Sequence, residues 1–208
     1  MMDILQKYFS DFTETQAKQF EMLYDLYKDW NTKINVISRK DIDSLYERHV
    51  LHSLAIAATI EFRTGTEIID IGCGGGFPGI PLAIYFPDVK FHLVDSINKK
   101  LLVVNEVASA IGLQNVTTQH ARAESIKDRK FDFAVSRAVA SLKDLWYWSK
   151  PLLKKLNKNE IPNGLICLKG GDLAQEVSDS GLRPKVSPLE DIFDEEFYRE
   201  KYLLYIER

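Results

Sequence analysis

The chain has 208 residues, 45% of them hydrophobic, and a formal net charge of −3. That fits one globular domain with at most a short extra module, and it excludes a disordered chain. The acidic balance argues against a surface that attracts nucleic acid everywhere, while leaving room for a local basic patch.

Two cysteines, Cys73 and Cys167, are too few for a disulfide framework or a four-cysteine zinc site, which points to a reducing compartment. Four histidines with no His/Cys pairing at ligand spacing give no reason to expect a metal. The start, MMDILQKYFSDF, lacks the basic and apolar regions of a secretory signal. The longest apolar stretches, 54–60 and 79–86, are too short to span a bilayer. A soluble cytoplasmic protein, monomeric and without membrane contact, is expected.

Residues 1–62 read as a helical extension. From Thr13 to Trp30, apolar residues fall at Phe20, Leu23, Tyr24, Tyr27 and Trp30, three and four apart. Thr13 with Gln16 has the spacing of a capping box, in which each side chain satisfies a free backbone N–H. A second helix is expected from about 42 to 60, and the polar stretch 30–41 between the two reads as extended.

From residue 63 onward strands and helices alternate. The runs 67–71, 91–95, 115–120, 131–136 and 165–170 suit buried parallel strands, with helices over about 79–85 and 99–111. Residues 141–156 read as helical, with Pro151 expected to kink or restart the helix. The end differs: 185–193 and 200–207 read as two strands joined too tightly for a crossover helix. They should pair as an antiparallel hairpin at the sheet edge, where Pro184 and Pro188 are tolerated. The fold class expected for 63–208 is therefore α/β: a doubly wound, mostly parallel seven-stranded sheet ending in that hairpin.

The most informative stretch is DIGCGGGFPG, Asp70 to Gly79, between a strand and a helix. Gly72, Gly74 and Gly76 allow a sharp turn and close approach of a ligand. Such loops serve nicotinamide and adenosylmethionine enzymes alike. Asp95, closing the second strand, is placed to accept hydrogen bonds from both ribose hydroxyls of an adenosine. Asp70, at the end of the first strand, would favour a cationic cofactor and repel a pyrophosphate. Simple capping of helix N-termini is the other reading of both carboxylates. Position and order favour adenosylmethionine.

The loop resembles motif I of class I methyltransferases, and a narrower pattern surrounds it. WN at 30–31, KINVI at 33–37, RH at 48–49, GFPGIPLAI at 76–84 and DS at 95–96 followed by KK at 99–100 all belong to it. RAE at 122–124, SRA at 136–138 and LKG at 168–170 complete it. Over about residues 20–170 the chain is similar to the glucose-inhibited division protein B family of small-subunit ribosomal RNA methyltransferases. Lys100 departs from that pattern, where arginine is frequent, and His52 where aspartate is frequent. The resemblance implies a class I fold, S-adenosylmethionine as cofactor, and N7 of a guanine in 16S ribosomal RNA as acceptor. It also implies cofactor contacts from Gly72, Phe77, Ala123, Glu124 and Arg137.

Arg122, Arg137 and Lys169 lie at strand C-termini, the edge where open α/β sheets bind ligands, so they are candidates for cofactor or RNA contact. Lys33, Arg39, Lys40, Arg48 and His49 give the extension a positive side that could grip RNA phosphates, although charge clusters are usually solvated faces. Trp146, Tyr147 and Trp148 could stack bases but read more simply as core and rim packing. Guanine N7 has a lone pair and no proton to lose, so the want of an obvious acid–base pair fits this target. Three alternatives remain open. These are a methyltransferase for a protein or small molecule, a non-enzymatic RNA-binding scaffold and, more distantly, a nicotinamide dehydrogenase.

Overall fold

Glu67–Ile71 (β1), Lys90–Asp95 (β2), Val116–His120 (β3), Phe133–Arg137 (β4), Gly164–Gly170 (β5), Lys185–Pro188 (β6) and Lys201–Glu207 (β7) are the strands of a computed structural model describing residues 2–137 and 139–208. They form one sheet in the order β3-β2-β1-β4-β5-β7-β6. Neighbours among β1 to β5 run parallel, while β7 lies antiparallel between β5 and β6. Because β1 pairs with both β2 and β4, the connections reverse direction there. At such a switch point the loops diverge and leave a crevice at the strand C-termini.

Period-two alternation sends successive side chains to opposite faces. Ile68, Phe133, Val135, Ile166, Leu168, Leu203 and Tyr205 belong to one core, and Ile69, Ile71, Ala134, Leu165, Cys167, Leu204 and Ile206 to the other. The first core is closed by Asp3–Gln6 (α1), Glu14–Lys33 (α2), His52–Thr59 (α3), Gly79–Tyr85 (α4) and Asn98–Ala110 (α5). Leu142–Ser149 (α6) covers the second, with Val177 of Ala174–Ser180 (α7) at its margin. Leu5, Phe20, Leu23 and Tyr27 of the N-terminal helices are fully buried in the first core, so the extension and the sheet share one interior.

The capping box at Thr13 forms as the spacing requires: Thr13 Oγ1 accepts from Gln16 N–H, and the Gln16 amide oxygen accepts from Thr13 N–H. Helix α2 runs further than its apolar period suggests, through Trp30 to Lys33. Lys33 pairs back to Asp29 at 2.7 Å, and the Asn31 side chain then fixes the turn that follows. Asn31 donates to Ile37 C=O at 2.9 Å and accepts from the N–H groups of Val36 and Ile37 at 2.9 and 3.0 Å. The second expected helix is composite: a 3-10 turn Ile42–Ser44, one π-helical stretch Tyr46–Leu51, then α3.

Two expected elements are shorter than their sequence pattern. Helix α6 ends at Ser149, Lys150–Leu152 tighten into a 3-10 turn containing Pro151, and Leu153 then bridges to Phe131. Proline has no N–H for an α-helical bond, so the chain is released to pair with its neighbour instead. Strand β6 likewise ends at Pro188, after which Leu189 and Phe193 turn into the core. The crossover from β3 to β4 carries only a 3-10 turn, Ala123–Ser125, in place of a helix.

Candidate active site

A cleft of about 470 Å³ opens at the carboxyl ends of the strands beside the switch point. Its volume is in the range of small-molecule sites. Ile71, Val94, Ile97, Ala121, Ala123, Val139 and Trp148 give it apolar walls, and Gly72, Asp95, Ser96, Lys100, Arg122 and Glu124 complete its lining.

The glycine loop is shaped by what lies beneath it. The N–H groups of Gly72 and Cys73 both donate to Val94 C=O, at 2.8 and 3.0 Å, tying the end of β1 to the end of β2. Gly72 holds φ +69°, and a Cβ there would stand 3.0 Å from both methyls of Val139 on the facing wall. A side chain at this position would fill the cleft where a ligand must approach the backbone. Gly74 and Gly76 also have positive φ and shape the turn, but they do not line the cleft.

The two carboxylates have different tasks. Asp95 is buried at the cleft edge, where Oδ2 accepts from Gly74 N–H at 2.9 Å and Oδ1 from Ile97 N–H at 2.8 Å. Its orientation is therefore fixed, and each oxygen keeps a lone pair for an incoming hydroxyl. Asp70 is fully buried below the loop. Its Oδ2 accepts from the Gly79 N–H at 2.8 Å at the start of α4, while Oδ1 has no partner among the described residues. Burial pushes the Asp70 pKa up to about 7, against the lowering effects of the Gly79 N–H and of Arg137.

Phe77 and Arg137 lie beside the cleft and face the helical extension. Phe77 is buried against Tyr27 and His49, with ring centroids 4.9 and 5.3 Å away, and the Arg137 guanidinium sits 5.2 Å from its centroid. Arg137 donates to Arg48 C=O at 3.1 Å and to His49 Nδ1 at 2.8 Å. Accepting at Nδ1 places the histidine proton on Nε2, which has no partner among the described residues. Burial first, and then the Arg137 charge, hold the His49 pKa down to about 3. His49 is therefore neutral and is not poised as a base. The Ser136 hydroxyl donates to Ile71 C=O at 2.8 Å, while Ala138, the last residue of the SRA motif, lies outside the described residues.

The structure divides the cationic candidates. Lys33 pairs with Asp29 at 2.7 Å, Arg48 with Asp41 at 2.6 Å, and the buried Lys169 with Glu176 at 2.7 Å while also donating to Ala140 C=O. Arg39 and Arg122 have no carboxylate within ion-pair distance among the described residues. Arg122 lines the cleft with Lys100, while Arg39 borders a separate hollow of about 380 Å³ with Lys28, Asn31 and Thr32.

Of the expected cofactor residues, the cleft thus brings together Gly72, Asp95, Ala123 and Glu124. Sequence reasoning missed Ile97, Val139 and Lys28. Ile97 had a usable signal, an apolar residue two places after the strand-ending aspartate, whereas Val139 and Lys28 depend on how the chain folds back. Among the described residues there is no cluster of metal-ligating side chains, and no helix is long and apolar enough to cross a membrane.

The sequence profile of the family described as rRNA small subunit methyltransferase G matches residues 16–194. A ribosomal RNA small subunit methyltransferase G from Bacteroides thetaiotaomicron is 59% identical over 204 residues, covering 98% of this chain and 98% of its own. One from Cytophaga hutchinsonii is 49% identical over 205 residues, covering 99% of each. Among solved structures, a SAM-dependent methyltransferase from Aquifex aeolicus superposes with a TM-score of 0.57 at 15% identity, over 82% of this chain and 98% of that one. A mutant of MtNAS in complex with S-adenosylmethionine gives 0.60 at 16% identity, over 92% and 76%. At such identities these two show the fold alone.

Proposed function

The chain belongs to the rRNA small subunit methyltransferase G family, and from that premise we propose that it methylates N7 of a guanine in 16S ribosomal RNA, using S-adenosylmethionine held in the cleft at the switch point. The observation that carries the reading is Asp95, a carboxylate locked by two backbone N–H groups at the edge of an apolar cleft. The residues fit the group. Asp95 would take the ribose hydroxyls, the bare backbone at Gly72 would accept the amino-acid end, and Ala123 and Glu124 would border the adenine.

Bound there, S-adenosylmethionine supplies an electrophilic methyl group. The chain's own contribution is to orient the acceptor and exclude water, and fixing two reactants in line is worth up to about 7–11 kcal/mol. N7 of guanine attacks through a lone pair and releases no proton, so no general base is needed. The neutral His49, its Nδ1 occupied by Arg137, is consistent with that demand. Arg39 and Arg122, both without a carboxylate partner among the described residues, are the cations best placed for RNA phosphates. Lys33, Arg48 and Lys169, assigned the same role on sequence grounds, are engaged within the protein. The enzyme works as a monomer in the cytoplasm, with the helical extension 1–62 facing the RNA and 63–208 holding the cofactor.

Comparing 16S ribosomal RNA from cells with and without this protein tests the proposal. Loss of one 7-methylguanosine, restored by the wild-type chain and not by Asp95→Ala, is expected. An unchanged nucleoside profile would transfer the activity to a protein or small-molecule acceptor.

A further inference from the structure

Helix α6 carries an apolar stripe at three-residue spacing, Leu142, Leu145 and Trp148. The two leucines are fully buried, but Trp148 is only half-buried and lines the cleft together with Ile97, Ala123 and Asp95. The helix is anchored for this placement. Ser141 caps its N-terminus by accepting from Asp144 N–H, and it packs against the Ala123–Ser125 turn that replaces a crossover helix. Beside this short turn the indole stands in the cleft wall next to Ala123.

The other two tryptophans have partners. Lys33 covers the Trp30 ring and Lys150 the Trp146 ring, with Nζ 4.8 and 5.5 Å from the centroids. No aromatic ring or cation among the described residues stacks on Trp148, and its indole N–H has no acceptor among them. A large flat apolar surface thus remains open in a cleft whose carboxylate suits a ribose. The geometry points to Trp148 as the surface against which the adenine of the cofactor packs, an assignment that rests on the cofactor reading above. Trp148 is then a cofactor-binding residue, and it favours a planar heterocycle at this end of the cleft over a non-aromatic group of the same polarity.

The test uses the full chain without RNA and S-adenosylhomocysteine as the probe, read by calorimetry and by tryptophan fluorescence. Ligand should quench wild-type emission. Trp148→Phe keeps a ring and both other tryptophans, so it should bind within about threefold of wild type while losing most of the quench. Trp148→Ala should weaken binding about tenfold or more, and should raise the KM for S-adenosylmethionine more than it lowers kcat. Unchanged affinity in Trp148→Ala, or an undiminished quench in Trp148→Phe, overturns the assignment. So does a quench produced by RNA and not by the cofactor analogue. If circular dichroism shows Trp148→Ala to be unfolded, the quench in Trp148→Phe decides. Absence of calorimetric binding by the wild-type chain overturns the cofactor reading and this assignment together, whereas a failure confined to the variants overturns this one alone.

Discussion

Asp70 and Asp95 stand at the C-terminal ends of adjacent strands, both buried, but only Asp95 borders the cleft. Asp70 has one oxygen on an N–H and one without a partner, so burial raises its pKa to about 7. The folded chain therefore holds a proton on Asp70 that the unfolded chain releases near the ordinary carboxylate value of 3.8, and the contribution of Asp70 to stability falls as pH rises between the two. Asp70→Asn removes that dependence. In urea titrations without cofactor, the stability of Asp70→Asn relative to wild type should rise from pH 4 to pH 7, by up to roughly 4 kcal/mol, and stay level above. A difference that does not change with pH would contradict the burial account. Asp95→Ala leaves the Gly74 and Ile97 N–H groups without their acceptor, so it should cost about 1–3 kcal/mol of stability at every pH and weaken S-adenosylhomocysteine binding about tenfold or more, measured by urea titration and calorimetry. Both carboxylates were legible as strand-ending residues beside a glycine loop. Their division of labour was not, because it depends on which side of the loop each carboxylate faces.

The elements that matter most to the site are α2 and the turn after it. Tyr27 donates its hydroxyl to Gly75 C=O at 2.6 Å, and Val36 packs so closely that a Cβ on Gly75 would lie 2.9 Å from it. Asn31 holds that turn by three hydrogen bonds, so the extension is fastened to the cofactor loop at the backbone level. Asn31→Ala should cost about 1–3 kcal/mol, since it leaves partly buried backbone groups unsatisfied. If the turn presents the acceptor, it should also reduce methyl transfer more than cofactor affinity. Equal losses in both would remove that positioning role. Strands β1, β2, β5 and β7 and helix α4 were readable almost to the residue, because each is a short apolar run bounded by glycine, proline or charged residues. The overextended readings at 141–156 and 185–193 fail where a proline removes a donor and the chain finds a tertiary partner instead, Phe131 in one case and the core around Leu189 in the other. No local pattern encodes those partners.

Across the whole molecule, a net charge of −3 has to be reconciled with an RNA substrate. Ion pairs engage Lys33 with Asp29 at the surface, Arg48 with Asp41 and the buried Lys169 with Glu176, whereas Arg122 and Lys100 at the cleft and Arg39 and Lys28 at the neighbouring hollow have no ion-pair partner among the described residues. Arg122→Glu and Arg39→Glu should therefore each reduce activity on ribosomal particles more than Lys33→Glu does, while cofactor binding persists in Arg39→Glu. With a net charge of −3 and only a few cations at the cleft and the hollow, binding to a short naked oligonucleotide should be weak and should weaken further with salt. Tight, salt-insensitive binding to such an oligonucleotide would contradict this picture. The sequence showed that basic residues cluster in the extension, but which of them are already paired is decided by helix spacing and tertiary contact.

The most direct test of the account is transfer of labelled methyl from S-adenosylmethionine to small ribosomal subunits purified from cells lacking this protein, followed by digestion to nucleosides. The account predicts label in 7-methylguanosine with the wild-type chain and its loss with Asp95→Ala. Label in another nucleoside, or equal transfer by Asp95→Ala, would contradict it.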